Sequence, residues 1–400
     1  MIELRAAMRT YFLVNGVYSL GRALPQAILT PILVGKGLSF GEIALVQMAF
    51  AAAQILWEIP SGVISDVLSR RFSYLLSIGL IAVSYGIVLV GTGLPLMLLA
   101  WTLYGLSAAM LSASMDYHFV LALRDDEAAL RRFYGLDRNI VLAMSALAAV
   151  FSGPVYSMLG ERIYAVSIGL FAVSYLYGLL RLPQSRTEGR QGSSGLRIFA
   201  ELAAELRTAA GDARLILLIC VLASTEFAIT PFFQFWQMAF TDAHVALWMF
   251  GSYFIASQLL NIVANFVVGR IGGMAVTKWC ALICVGGVAV LLLMLSGSPW
   301  ILLPMFVLPL PLFVFIAEVE IELQTVLPAG AISSVRSLSG AVESLAALAV
   351  LGVSAALLAV LPSAVLIGSW ILLFVALSTA GIILIERGRS TSRERDMSLN

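Results

Sequence analysis

The stretch EIPSGVISDVLSRR, Glu58 to Arg71, decides how this chain is read. Glu58, Pro60, Gly62 and Asp66 close one long apolar run, and the adjacent Arg70 and Arg71 precede the next. Each flanking run is long enough to cross a bilayer as a helix. A charged segment this short between them reads as a cytoplasmic hairpin joining two spanning helices.

Composition points the same way. Of 400 residues, 60% are hydrophobic and only 12% charged, with a mean hydropathy of +0.98. One aqueous core cannot hide that much apolar surface. In hydrocarbon the backbone must satisfy its own polar groups, so the runs are predicted to be helices and the fold all-α. Apolar stretches fall at 11–34, 41–64, 72–92, 95–121, 138–160 and 163–182, then at 214–240, 245–269, 275–297, 300–321, 337–361 and 363–386. Twelve transmembrane helices are expected.

A net charge of +1 conceals a one-sided distribution. Of the 24 Lys and Arg residues, 21 fall at the termini or in the loops after even-numbered segments, among them Arg5, Arg9, Arg70, Arg71, Arg131, Arg132, Arg186 and Arg389. The opposite face carries Lys36 and Arg162, and Arg22 lies inside the first segment. The positive-inside rule then puts both termini in the cytoplasm. The basic residues report orientation and give no reason to invoke nucleic acid. The first segment has no small-residue cleavage site and reads as a retained helix. Cys220, Cys280 and Cys284 sit in apolar runs and read as small core residues, without metal-site spacing or a disulfide framework. Two histidines and three cysteines offer no material for a transition-metal centre, and no cofactor is expected. Twenty-two of the 24 basic residues are Arg, which suggests GC-rich coding and a bacterial inner-membrane protein.

The apolar pattern breaks once. Residues 183–212 begin as a Gly/Ser-rich linker and continue from Leu196 to Ala209 with helical spacing, as expected of an amphipathic cytoplasmic helix. The linker separates a six-helix bundle at 1–182 from another at 213–400. Short matches support a duplication: Gln54-Ile55-Leu56 with Gln258-Leu259-Leu260, and Arg138 with Arg336.

The hairpin resembles the loop between helices 2 and 3 of the major facilitator superfamily, GxxxDRxGR[RK]. Gly62, Asp66, Arg70 and Arg71 match, while Val67 and Ser69 depart from it. The resemblance implies two pseudo-symmetric six-helix bundles, a monomer, and secondary transport by alternating access. It also implies that Gly62 permits close helix approach, and that Asp66 interacts with the start of the eleventh helix, beside Arg336. In the fifth segment, Gly153-Pro154 resembles part of a motif of proton antiporters, although Ser157 and Met158 replace its following glycines. The EIPSG variant and FFQFWQ at 232–237 are similar to bacterial drug-efflux members.

Charges inside the membrane are the site candidates, because each costs at least about 2.5–3.5 kcal/mol near the midplane. Arg22 and Glu226 fall at that depth, 204 positions apart. Three readings stand: a buried ion pair, a titrating Glu226, or Arg22 and Glu226 binding anionic and cationic parts of a substrate. Glu343 and Glu58 are further proton-coupling candidates. Asp116 and His118 read as solvated ends of the fourth segment. Glu318, Glu320 and Glu322 close the tenth, where Glu318 or Glu322 is expected to meet Arg336. Asn15, Tyr18, Arg22 and Gln26 make one polar stripe on the first segment, as expected where a helix borders water. Tyr104, Gln234, Trp236, Gln258, Asn261 and Asn265 are further candidates for a cavity lining.

No GxxxxGK[ST] or HExxH occurs, so ATP hydrolysis and zinc-protease chemistry are not expected. The expected function is proton-coupled export of a small organic compound, such as a drug or natural product, through the lipid bilayer. The alternatives are uptake of a charged or zwitterionic metabolite, with Arg22 as a ligand, and lipid flipping.

Overall fold

The computed structural model describes residues 2–112, 115, 119, 122, 123, 126–183, 213–268, 283, 286–289, 302–326 and 332–398. All regular structure among them is helical. Among the described residues eight segments are long and apolar enough to cross a membrane, and one of these, Arg132–Arg181, folds back on itself at Gly160 (φ +55°) to make two helices. The chain forms two compact units, Met1–Ser193 with Ala246–Ile255, and Ser194–Val245 with Ala256–Asn400. The predicted surface helix at Leu196–Ala209 and most of the ninth apolar segment lie outside the described residues, as do Cys280, Cys284, Asp116 and His118.

The first unit contains α1 (Ile2–Ala23), α2 (Leu29–Gly35), α3 (Phe40–Val67), α4 (Arg70–Val90), α5 (Leu94–Ser112), α6 (Glu127–Leu159) and α7 (Ile163–Arg181). Local sequence sets several starts. Ser39 and Glu42 form a reciprocal capping box at α3, Ser69 accepts the Phe72 N–H at α4, and Asp126 accepts the Ala129 N–H at α6. The α3–α4 hairpin turns through only Leu68 and Ser69, and a 2.7 Å hydrogen bond between Ser65 and Ser73 closes it. Elsewhere small residues set the packing. A Cβ on Gly105 of α5 would stand 2.3 Å from the Phe50 carbonyl oxygen of α3. Ser84 donates to the Ala100 carbonyl and Ser107 to that of Ser77, stitching α4 to α5 at 2.7 Å in each case.

The first apolar run is not one helix. α1 stops at Ala23, a 3-10 turn covers Gln26–Ile28, and α2 resumes at Leu29, all inside the span Ala6–Gly35. Pro25 is the cause: it has no N–H to give the Gly21 carbonyl, and its ring opposes that carbonyl. The apolar stretch at 11–34 thus crosses as one span made of two helical pieces. Two neighbouring features fit the break. The Tyr85 hydroxyl donates to the Arg22 carbonyl at 2.9 Å, and Gly21 lets α1 approach the Phe171 ring of α7.

The second unit is built around α8 (Ala213–Asp242), which continues through Pro231. It packs against α11 (Pro309–Val326), α12 (Ile332–Leu357) and α13 (Ser363–Ser398); α9 (Leu247–Val268) begins in the first unit and runs into the second, which also holds the short α10 (Leu302–Val307). Ser224 and Ser378 hydrogen-bond at 2.9 Å between α8 and α13, and the Trp370 indole donates to Ser354 at 2.9 Å between α13 and α12. Cys220 is exposed on α8, correcting its assignment to a core. Apolar character alone does not separate a face turned to neighbouring helices from one turned to lipid.

Candidate functional site

Four polar side chains come together around the break in the first span. Arg22 stands in the last turn of α1, 16 positions after the start of the span and 13 before its end. The Tyr104 hydroxyl of α5 stands beside its guanidinium, with Tyr18 and Tyr85 also within electrostatic reach. Gln26, in the 3-10 turn, donates to the same Tyr104 oxygen at 3.3 Å. Tyr85 and Tyr104 meet edge to face at 6.0 Å, and Tyr104 also packs on Phe50 at 4.8 Å. Tyr18, Tyr85 and Tyr104 are only 2%, 3% and 8% exposed, whereas Arg22 is half-buried. The result is a guanidinium set among phenols.

One turn and more below it the stripe changes character. Asn15 donates to Asp137 Oδ1 of α6 at 2.7 Å, and Tyr11 hydrogen-bonds the same carboxylate. Asp137 was not among the expected site residues. Its neighbour Arg138 and the preceding Arg131 and Arg132 make that stretch read as a basic cytoplasmic flank. The stripe also differs from its reading as one water-facing line. Asn15 and Tyr18 are buried against partners, and the break separates Arg22 from Gln26.

In the second unit Glu226 sits near the centre of the span Arg214–Asp242, half-buried. Thr230, one turn on, donates to Glu226 Oε2 at 2.6 Å. Glu343 of α12 is near enough for the two charges to act on one another. It in turn accepts a 2.5 Å bond from Ser339. The two carboxylates, separate candidates in the sequence, lie within electrostatic reach of one another, and each accepts from a hydroxyl. Among the described residues of the second unit neither has a basic partner. Arg22 belongs to the first unit and Glu226 to the second.

The remaining candidates divide. Glu58 is exposed at the end of its span and accepts from Ser112 at 3.1 Å. Trp236 is buried edge to face with Phe240 at 5.2 Å, while Gln234 and Gln258 are half-buried. Among the described residues nothing lies within 4 Å of a Cβ placed on Gly62; the tight crossing of α3 is at Gly105. Arg70 opens α4, and Arg71 donates to the Leu179 carbonyl in the last turn of α7, satisfying an end that has no intrahelical donor. Gly153 lies 3.8 Å from the Trp248 backbone by its would-be Cβ, and Pro154 is carried within α6 without ending it. Glu322 pairs with Arg214 at 2.7 Å, a partner the sequence did not suggest. The side chains of Asp66, Arg336, Asn261 and Asn265 lie outside the described residues.

Residues 11–349 match the Major Facilitator Superfamily, most of the chain and both units. The chain belongs to that family. Similar solved structures agree on the fold of this major facilitator. A bacterial homologue of the iron transporter ferroportin, in an inward-facing state, is 15% identical, with 95% of this chain and 98% of that one covered at a TM-score of 0.71. The nucleoside transporter NupG is 12% identical, with 95% and 98% covered at 0.73. The POT family transporter PepTSo is 13% identical, with 97% and 98% covered at 0.70. No curated protein matches the sequence. This major facilitator is therefore an integral membrane transporter of the twelve-helix, two-bundle fold. Identities this low leave its cargo to its own residues.

Proposed function

We infer that this major facilitator is a proton-coupled secondary transporter that exports a small organic compound by alternating access. The observation that carries the reading is the Glu226–Glu343 pair, with Thr230 and Ser339 each bonded to one carboxylate. A proton taken up by Glu226 removes a like charge from beside Glu343 inside the membrane. Each hydroxyl is both donor and acceptor, so its bond can reverse when the carboxyl gains a hydrogen. A pair of this kind can load and release a proton with little rearrangement. Intramembrane carboxylates without basic partners are the usual material of proton relays.

The outward direction rests on the resemblance of EIPSG and Gly153-Pro154 to efflux and antiporter members. The protein works as a monomer in a bacterial inner membrane, with bundles at 1–182 and 213–400, a linker at 183–212 and both termini in the cytoplasm. Asp66, Arg70 and Arg336 act in its conformational cycle.

The test uses the full chain in liposomes with an internal pH dye, and a panel of organic compounds presented from either side. Substrate-dependent proton movement, lost in Glu226→Gln, supports the reading. Substrate movement that carries no protons and survives Glu226→Gln removes it. Net uptake of a charged metabolite in the same assay favours the opposite direction.

A further inference from the structure

We propose that Arg22, with Tyr104 beside it, is the receptor for an anionic group, a carboxylate or phosphate, of the transported compound. The inference rests on the transporter reading and names the chemistry of the cargo. Its starting point is a charge balance. Arg22 is a permanent cation at the middle of a membrane span. The described carboxylates that could neutralise it from within its own unit are engaged elsewhere. Glu42 caps α3, Glu58 takes Ser112, Asp126 caps α6, Asp137 takes Asn15 and Tyr11, and Glu161 pairs with Lys36. Among the described residues of its own unit Arg22 forms no ion pair.

Phenols surround the guanidinium without neutralising it. A single phenol beside it can take one of five N–H donors, and the others stay on a side chain that is still partly open. Tyr104 adds another donor. Its oxygen accepts from Gln26, so its own hydrogen is left to give. Two kinds of donor, one charged and one neutral, then converge from α1 and α5 on the same region. A planar fork of this type matches the two oxygens of a carboxylate or phosphate. The walls are aromatic, which suits an organic body on the anion. The break at Leu24–Pro25 also matters. It ends α1 one residue after Arg22, as in discontinuous transmembrane helices, where a broken segment brings functional groups to a site at mid-membrane depth.

A small organic anion and an anionic lipid headgroup share this chemistry, and the experiment separates them. Full-length protein in neutral detergent is titrated with benzoate, phenyl phosphate and uncharged benzamide, with thermal stability as the readout. The expected result is stabilisation by one or both anions and none by benzamide. Arg22→Gln should weaken the apparent affinity about tenfold or more, the scale of one charge-assisted hydrogen bond. Arg22→Lys should recover part of that loss, and Tyr104→Phe should cost a smaller factor. In a second arm, liposomes of phosphatidylcholine with a trace of fluorescent phosphatidylglycerol report lipid translocation. Arg22-dependent translocation without benzoate or phenyl phosphate binding assigns the anion to a headgroup; anion binding without translocation assigns it to a solute. Absence of any Arg22-dependent response in both arms overturns the proposal. If Arg22→Gln does not fold, unchanged anion affinity in Tyr104→Phe overturns it instead. The titration uses no gradient, so it stands or falls separately from proton coupling.

Discussion

Lys36 of the α2–α3 turn and Glu161 of the α6–α7 turn meet at 2.7 Å, and the two side chains differ sharply in exposure, 1% against 43%. Lys36 Nζ also donates to the Gly91 carbonyl at 3.0 Å, so one buried ammonium ties three turns of the first unit together. The asymmetry makes an ordering of variants. Removing Glu161 strands a buried cation, whereas removing Lys36 returns a carboxylate to water. Glu161→Ala should therefore destabilise more than Lys36→Met. Breaking a fully buried pair costs about 3–5 kcal/mol, and the exposure of Glu161 reduces the expected loss to about 1–3 kcal/mol. Thermal unfolding in detergent, with both variants and the double variant, measures the order.

The Asn15–Asp137 bond gives a second expectation. A hydrogen bond to a charged group is worth about 1.5–3 kcal/mol when broken on one side. Asn15→Ala should cost about that much, and Asp137→Asn should make the Asn15 substitution cheaper. A double-mutant cycle reads the coupling directly. Additive losses would show that the contact contributes nothing of its own.

The glycines make a contrasting pair. A Cβ at Gly105 meets the Phe50 carbonyl oxygen at 2.3 Å and the Ala53 Cβ at 2.9 Å, so backbone must move. Gly105→Ala should cost about 1–3 kcal/mol, the range for overpacking. Gly62 lies within α3 with nothing described near its would-be Cβ. Gly62→Ala should leave unfolding unchanged or raise stability by about 0.5–1 kcal/mol, the helix-interior advantage of Ala. If transport nevertheless falls in Gly62→Ala, the residue acts in the conformational cycle and not in folding. Parallel melts and transport rates on the two variants decide it.

These sites show what a one-dimensional pattern carries. The spans were legible because hydrocarbon forces every run of about 20 apolar residues into a helix. Ser39, Ser69 and Asp126 mark helix starts by chemistry that needs only neighbouring residues. Pro25 was visible too, but the apolar residues on both sides hid its effect on the first span. Partners were harder. Asp137 lies 122 positions from Asn15, and Glu343 lies 117 from Glu226, so no local signal joins either pair. Arg214 reaches Glu322 from the start of α8, 108 positions away, while the Arg336 side chain expected beside Glu318 or Glu322 lies outside the described residues. Cys220 erred for another reason: lipid and protein interior are equally apolar, so composition cannot tell which one a face meets.

The pairing of Glu226 with Glu343 sets the last expectation. If each carboxylate held a proton independently, the two neutralising substitutions would add in their effect on coupled transport. Groups that act as a unit do not add. Glu226→Gln, deeper in its span, should abolish substrate-driven proton movement, and Glu343→Gln should reduce it at least about tenfold, the change worth 1.4 kcal/mol. The double variant should be no worse than Glu226→Gln alone. Thr230→Val removes the hydroxyl bonded to Glu226 without altering charge, and should slow coupled transport while leaving its stoichiometry intact. Proton flux and substrate flux measured together across the four variants check each point. A Glu343→Gln variant with full coupling would leave Glu226 as a lone carrier, and strict additivity would separate the two carboxylates altogether.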